Sequence, residues 1–514
     1  MKNKNHFSSR KNLIYSFFFI ILIFNIKSNN ILLSITVFPS ENGFDKNLTI
    51  EENLENTNAR WIGLDLSSEY KITKIGWKLK ENEPEKYLLG IFEGANKENF
   101  IDGIPLLMIT EEGKLGENNY SKIKVSKTFR YIRYISPNNQ NIIFSNIEIY
   151  GENSSSGKTL YQLSNIPMIV MHTELGIDPI DKKNELTSYI YIIDNSKANI
   201  QQSGKIRLRG NESMKYDKKS IRIKFDNKII PLNFKENSKK WLLIPNYSDK
   251  TLIRNLVGFE ISKLFQMYFT PTCESVDVML NGEYKGVYNL CNQIEVDNGR
   301  LEITRMKNTD KSGINITGGY HIEVDSYAEE EISFFESKKN VPVTIKYPDD
   351  DQILVLQFNY IEKEFNKLER DVYSKNIDRV DIESFSQYFL IEELIGNPDA
   401  YWSVHMIKER DNKHFYFVAI WDLELAFDND KNIYPINEKD DFIFKYAHSA
   451  GTMSKLIQFI IQNETALNFI KDKWKNLTED LITKENIINI IDEKAKIVNK
   501  SQKFNFMRWN LPCT

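Results

Sequence analysis

Cysteine is nearly absent from this sequence: Cys273, Cys291 and Cys513 are the only three in 514 residues. Three thiols cannot frame a disulfide-stapled scaffold, so the fold must rest on hydrophobic burial. A surplus of positive charge is missing too. Lys and Arg total 67 against 71 Asp and Glu, and no stretch forms a basic stripe. That balance excludes nucleic acid as the expected partner. Beyond an apolar run near the start, no later segment is long enough to span a bilayer, so the remainder is expected to be soluble. Internal repeats and long low-complexity tracts are also lacking, which excludes a solenoid.

What is present is a globular composition, 41% hydrophobic and 12% aromatic, with length for two or three domains. Lys2, Lys4, Arg10 and Lys11 precede an apolar core from Leu13 to Ile26. The core is shorter than the ~20 residues of a comfortable span, so residues 1–34 read as a secretory signal peptide. The cleavage region lacks a small-x-small pattern, so an uncleaved signal anchor is the rival reading. Nine N-x-S/T sequons (Asn47, Asn119, Asn153, Asn211, Asn246, Asn315, Asn463, Asn476 and Asn499) fit a secreted or cell-surface glycoprotein. Cys273 and Cys291 flank a predicted hairpin with the turn Asn281-Gly282, and an oxidising compartment would permit a bridge between them. Two buried free thiols are the alternative.

Residues 36–152 read as all-β: WIGLDLSS, KITKIGWKLK, YLLGIFEGA, KIKVSK, FRYIRYIS and FSNIEIYG alternate apolar and polar residues between turns, the pattern of a β-sandwich. The segments ARWIGLDLSSEYKITKIGWK and RYIRYISPNNQNIIFSNIEIYG resemble the discoidin-like, coagulation factor 5/8 type C domain. The resemblance implies a jelly roll that binds a glycan or another surface through loops at one end. A packing domain without a ligand is the plainer reading. Residues 153–159 form a polar linker, and 160–514 a larger α+β domain. In it TSYIYIID, GKIRLRG, KSIRIKFD, KKWLLIP, SVDVMLN and YKGVYNL predict strands. Apolar spacing predicts helices over 252–266, 352–370, 381–395, 453–470 and 484–500.

Chemistry concentrates between Gly396 and Asp430. A helix capped by Asp381 should stop at Gly396-Asn397-Pro398, leaving Asp399 on a loop. The apolar strand HFYFVAIW should end at Asp422, with Glu424 close behind. Asp399 and Asp422 lie 23 residues apart, enough for loop and strand to fold back together. Such acids would repel unless a cation or proton relieved them, which suits Mg²⁺ held against phosphate oxygens. Spacing alone leaves a structural carboxylate network or a paired-carboxylate hydrolase open. Upstream, Lys218 and Lys219 should open a strand from which an amine can reach phosphate, with Arg207 and Arg209 nearby. A solvated basic hairpin is the bland alternative. Arg254 falls in the first turn of a helix, and Glu323 and Asp325 on one face of a strand.

The blocks RLRGNES, KKSIRIKF, KKWLLIPNYSDKTLIRN, VMLNGEYKGVYNL, GGYHIEVD, VTIKYP, GNPDAYWS, IWDLELAFDN and FNFMRW, in this order, resemble the CotH family of spore-coat-H-type atypical kinases. The sequence lacks the HRD, DFG, GxGxxG and Walker motifs of other phosphotransferases, as that family does. The resemblance implies a protein-kinase-like fold that uses ATP with Mg²⁺ or Mn²⁺ to phosphorylate Ser or Thr of secretory or surface proteins. It also implies roles. Asp399 would be the catalytic acid, and Asp422 and Glu424 would hold the metal. Arg209, Lys218, Lys219, Arg254 and Glu323 would line the nucleotide. Three positions depart from the family pattern. Asn292 stands in place of a Glu, which removes a Lys–Glu pairing there, Glu424 in place of Asp or Asn, and Asp428 in place of Gly. A surface or adhesion protein with a catalytically weak or inactive second domain is therefore the alternative function.

Overall fold

The computed structural model describes residues 31–32, 36–39, 61–439, 441–446 and 450–509. The expected signal segment apart from Ile31–Leu32, the Asn47 sequon and Cys513 lie outside the described residues. The chain divides into two compact units between Tyr161 and Gln162. Among the described residues, no helix is long and apolar enough to cross a membrane.

The first unit is all-β. Its strands are β1 (Ile31–Leu32), β2 (Thr36–Pro39), β3 (Trp61–Leu79), β4 (Ile91–Ala95), β5 (Ile104–Met108), β6 (Asn118–Lys122), β7 (Thr128–Ile135) and β8 (Phe144–Glu152). They run in the order β1-β8-β3-β7-β4-β5, with β2 and β6 also paired to β3. The start of β3 pairs with β2 and β7, and its end with β6 and β8. The register breaks between Asp65 and Tyr70, where Ser67 has a positive φ, so the strand turns a corner and serves both halves. The two expected strands WIGLDLSS and KITKIGWKLK are thus one. Ile75, Trp77 and Leu79 point inward. The expected KIKVSK strand is displaced: β6 precedes it, and β5 was not foreseen.

The second unit opens with a closed antiparallel barrel that has one parallel contact. Its strands are β9 (Met168–Thr173), β10 (Leu186–Ile193), β11 (Ile200–Leu208), β12 (Ile221–Ile229), β13 (Ser238–Ile244), β14 (Cys273–Leu280) and β15 (Glu283–Asn292). They follow the order β10-β11-β12-β13-β15-β14-β9, with β14 and β9 parallel. Its interior is one apolar cluster around Trp241, Tyr288 and Leu290. Asn281-Gly282 makes the β14–β15 turn with both φ positive, as expected. Cys273 and Cys291 are register partners and are bridged, with Cα atoms 4.2 Å apart. Lys218 and Lys219 precede β12 rather than opening it.

A second antiparallel sheet follows in the order β17-β18-β16-β19-β20. Its members are β16 (Tyr320–Asp325), β17 (Phe334–Glu336), β18 (Pro342–Tyr347), β19 (Ser403–Lys408) and β20 (Tyr416–Ala419). The helices are α1 (Arg254–Leu264), α2 (Val355–Tyr373), α3 (Ile382–Ile395), α4 (Gly451–Ile461), α5 (Glu464–Asp480), α6 (Lys484–Val498) and α7 (Gln502–Trp509). The single helix expected over 453–470 is two, because Asn463 breaks it and caps α5 by accepting from Ala466 N. A large apolar core joins α1, α2, α3, α4 and the second sheet.

Candidate functional site

The segment 396–430 folds as its punctuation dictates. Asp381 caps α3 by accepting from Ser384 N, and Gly396, at φ 60°, ends it in the left-handed region. Asp399 follows on the turn leading to β19. Strand β20 stops at Ala419, three residues earlier than expected. Beyond it the side chains alternate: Trp421 and Leu423 are buried in the core, while Asp422 and Glu424 face away from it. Asp422 itself adopts φ 54°, ψ 60°, opening a short 3-10 turn.

These acids are crowded by protein and by one another. Burial raises the Asp422 carboxyl to about 6; Arg209 opposes the rise, and Asp399, Glu323 and Asp325 add to it. Burial raises Glu424 to about 7 against a hydrogen bond from Ser248, with Asp422 and Asp249 pushing further. Asp399 is raised by burial, then by Asp430 and Glu212. Asp422 keeps solvent access and accepts one hydrogen bond, 3.3 Å from Ser403 Oγ. Glu323 differs. Burial pushes it up, but His405 and Lys346, at 3.4 and 3.2 Å, outweigh that and hold it low.

The expected cations separate into four groups. Arg209 lies with the acids: its charge acts on Asp422 and Glu323, and its guanidinium sits 5.7 Å from the Trp421 ring centre. Lys218 is fully buried, with its ammonium on the Val287 carbonyl, on Asn505 Oδ1 at 2.8 Å, and 4.6 Å from the Tyr288 ring centre. Burial lowers it to about 7, opposed by Glu424, Asp277 and Asp249. Lys219 turns away to the Met214 carbonyl, and Arg207 to that of Lys182. Arg254 pairs with Asp249 and donates to the carbonyls of Ala426 and Phe427, tying α1 to the loop beyond Glu424.

Asn292 faces the barrel interior beside its register partner Trp241, with no hydrogen-bond partner for its amide among the described residues. It stands five residues along β15 from the Val287 carbonyl that holds Lys218, roughly 16 Å at about 3.3 Å per residue. A Glu at this position would not meet Lys218, so the departure there leaves the acid cluster untouched. Asp428 has φ 62°, the backbone region that favours the family's Gly, and accepts from Ile436 N.

Several residues whose role was not readable from the sequence position the acid loop. Asn255 accepts from Leu423 N and donates to Asn246, which also accepts from Asn289, so a buried amide chain runs from the barrel to the acid loop. Asn429 donates to the carbonyls of Ser248 and Glu424. Asn505 lies in the FNFMRW block, where the motif alone showed no role. Its Oδ1 also accepts from Val287 N, and a Cβ on Gly286, at φ 96°, would strike it.

Among the described residues, no three His, Cys, Asp or Glu side chains converge to hold a metal by themselves. The donor set still fits a dication. Asp422 and Glu424 are hard oxygen ligands, the first favouring protonation of the second, and Mg²⁺ is commonly held by one or two carboxylates with phosphate oxygens and water. A family model described as "CotH kinase protein" matches residues 206–513. No curated protein matches the chain. Among solved structures, it is similar to CBM62 from Clostridium thermocellum Xyl5A at 26% identity and TM-score 0.21, over 24% of this chain and 96% of that one. It is also similar to two structures of a family 89 glycoside hydrolase from Clostridium perfringens, at 18% and 14% identity, both with TM-score 0.19. Each covers 26% of this chain, which spans 15% and 16% of theirs.

Proposed function

The chain belongs to the CotH kinase protein family, and from that premise we propose that its second unit transfers the γ-phosphoryl group of ATP to Ser or Thr hydroxyls of secretory or surface proteins. The observation that carries this reading is the group Asp399, Asp422 and Glu424, each raised in pKa although Arg209 acts against the rise at Asp422 and Lys218 at Glu424. Asp422 and Glu424 would hold Mg²⁺ or Mn²⁺, which supplies neutralisation of phosphate charge when bound. Arg209 is the cation placed to face the phosphates. Asp399 orients the acceptor hydroxyl and takes its proton as the oxygen attacks the γ-phosphorus and ADP departs. Its raised pKa suits that role. Lys218 anchors the loop below rather than reaching the ligand in this conformation. The test is transfer of γ-labelled phosphate from ATP to protein by the full chain with Mg²⁺ or Mn²⁺. Loss of label in Asp422→Ala, with unfolding unchanged, is expected. Equal labelling by the variant would overturn the mechanism.

A second reading concerns the first unit. On one sheet face the Tyr120 ring lies against Gly76, and Glu148 accepts from the hydroxyls of Tyr120 and Tyr150 and from Asn118 and Asn146. Lys74 sits 3.6 Å from the Tyr150 ring centre. An accessible ring beside a hydrogen-bonding cluster suits a sugar, so we propose a glycan as the ligand of this unit. A glycan array probed with the full chain and Tyr120→Ala tests it, and equal binding by both would exclude this face.

A further inference from the structure

Among the large aromatic side chains outside both hydrophobic cores of the second unit, Tyr216, Tyr247 and Trp509 gather in one place. They come from three separate segments, the β11–β12 loop, the turn after β13 and the end of α7. Tyr216 and Tyr247 stack at 5.1 Å and 24°, and Trp509 meets Tyr247 edge-on at 6.4 Å. All three are half-buried. Ser248, next to Tyr247, donates to Glu424, and Tyr216 lies within electrostatic reach of Glu424, Glu212 and Asp399. The rings therefore border the acids.

They are also held in place by polar latches. Lys218, two residues beyond Tyr216, is locked by Val287 and Asn505, and Lys219 by the Met214 carbonyl. Trp509 donates to the Lys285 carbonyl at 3.0 Å, and Arg508 to that of Tyr284 at 3.1 Å. Rings fixed in advance bind a flat partner without the entropic cost of ordering them. Large half-buried aromatics anchored beside the acids serve no core and suit a planar group tethered to phosphates.

We infer that Tyr216 and Tyr247, backed by Trp509, form the subsite that stacks the base of the nucleotide. This inference rests on the phosphotransfer reading, because the acids must hold the phosphates for the base to reach the rings. It assigns the C-terminal helix a part in ligand binding.

The experiment compares Mg²⁺–ATP with Mg²⁺–tripolyphosphate, which keeps the phosphates and lacks base and sugar, by calorimetric titration of the full chain. Wild type should bind ATP roughly ten- to hundred-fold more tightly, the range of one base–aromatic stack. Tyr216→Ala should bring ATP close to tripolyphosphate and leave tripolyphosphate unchanged. Tyr216→Phe should keep the preference. Tyr247→Leu is the second variant should Tyr216→Ala fail to fold, and it should lose the preference in the same way. If both ligands bind wild type equally, or if the two ring-removing variants keep the preference for ATP, the base subsite is wrong while the phosphate site stands. If wild type binds neither ligand, the phosphotransfer reading falls and the subsite with it.

Discussion

Two neighbouring loops treat their carboxylates in opposite ways. In the loop before α1, Asp249 is fully buried and accepts from Thr251 N at 2.9 Å, Thr251 Oγ1 at 2.6 Å, Arg254 N at 2.8 Å and the Arg254 guanidinium. In the loop after β20, Asp422 has one 3.3 Å donor and Glu424 one hydroxyl; Asp422 and Asp249 raise the Glu424 carboxyl, and Asp399, Glu323 and Asp325 raise that of Asp422. The first loop satisfies its charge internally and so fixes structure. The second leaves negative charge that only a proton or an external cation relieves, which is what a site must do to bind a ligand rather than merely stand.

The comparison breaks most directly at Asp422. Asp422→Ala should lower phosphoryl transfer by on the order of 10³-fold or more while leaving the unfolding midpoint the same or higher, since a repulsive neighbour is gone. A stability loss without an activity loss would invert the assignment. Asp249→Ala should do the reverse. It strands Arg254 without its partner and should cost about 3–5 kcal/mol in denaturant titration. Asn505→Ala is expected to cost about 1–3 kcal/mol, because it leaves the buried Lys218 ammonium and the Val287 N–H short of an acceptor. Asn505→Asp should restore much of that loss.

pH sharpens the contrast without mutation. The folded pKa values of Asp422 and Glu424, about 6 and about 7, lie above ordinary carboxylate values. The folded state therefore binds more protons, and the acid loop's contribution to stability falls as pH rises from about 4 to 7. Lys218 acts in another window: lowered to about 7, it favours folding increasingly as pH rises from there toward its unperturbed value. A double variant Asp422→Asn, Glu424→Gln should flatten the slope between pH 4 and 7 in metal-free thermal scans, and an unchanged slope would show that the cluster is not strained. The smallest effect belongs to Asn292→Leu. Its buried amide has no partner, so the change should be neutral or stabilising within about 1 kcal/mol and leave nucleotide affinity unchanged. A large loss of affinity would restore this position to the site.

Much of the site was legible in the chain itself because its cues are local. Gly396 after a capped helix sets Asp399 on a turn, and an apolar run ending in Trp421 sets Asp422 and Glu424 beside the core. Alternation predicted every barrel strand except β9, and Asn281-Gly282 its hairpin. Boundaries slipped where local patterns compete. Asn463 is a better cap than helix interior, and β3 reads as two strands because its corner at Ser67 looks like a turn. Lys218 was the larger surprise. Its position before a strand is readable, but whether its amine meets phosphate or a carbonyl depends on Asn505, 287 residues away.

By itself, then, the sequence determined the two-part layout, the kind of most of the larger elements and the family to which the chain belongs, since periodicity, caps, turns and ordered motifs act over a few residues each. Only the tertiary structure decided which charges stand together. It put Arg209 with the acids, buried Lys218 under the C-terminal helix, turned Arg254 into a clamp for Asp249 and removed Asn292 to the barrel interior. The reason is physical: the environment of a charged group is set by distant segments that burial brings within a few ångströms, and no local pattern records those neighbours.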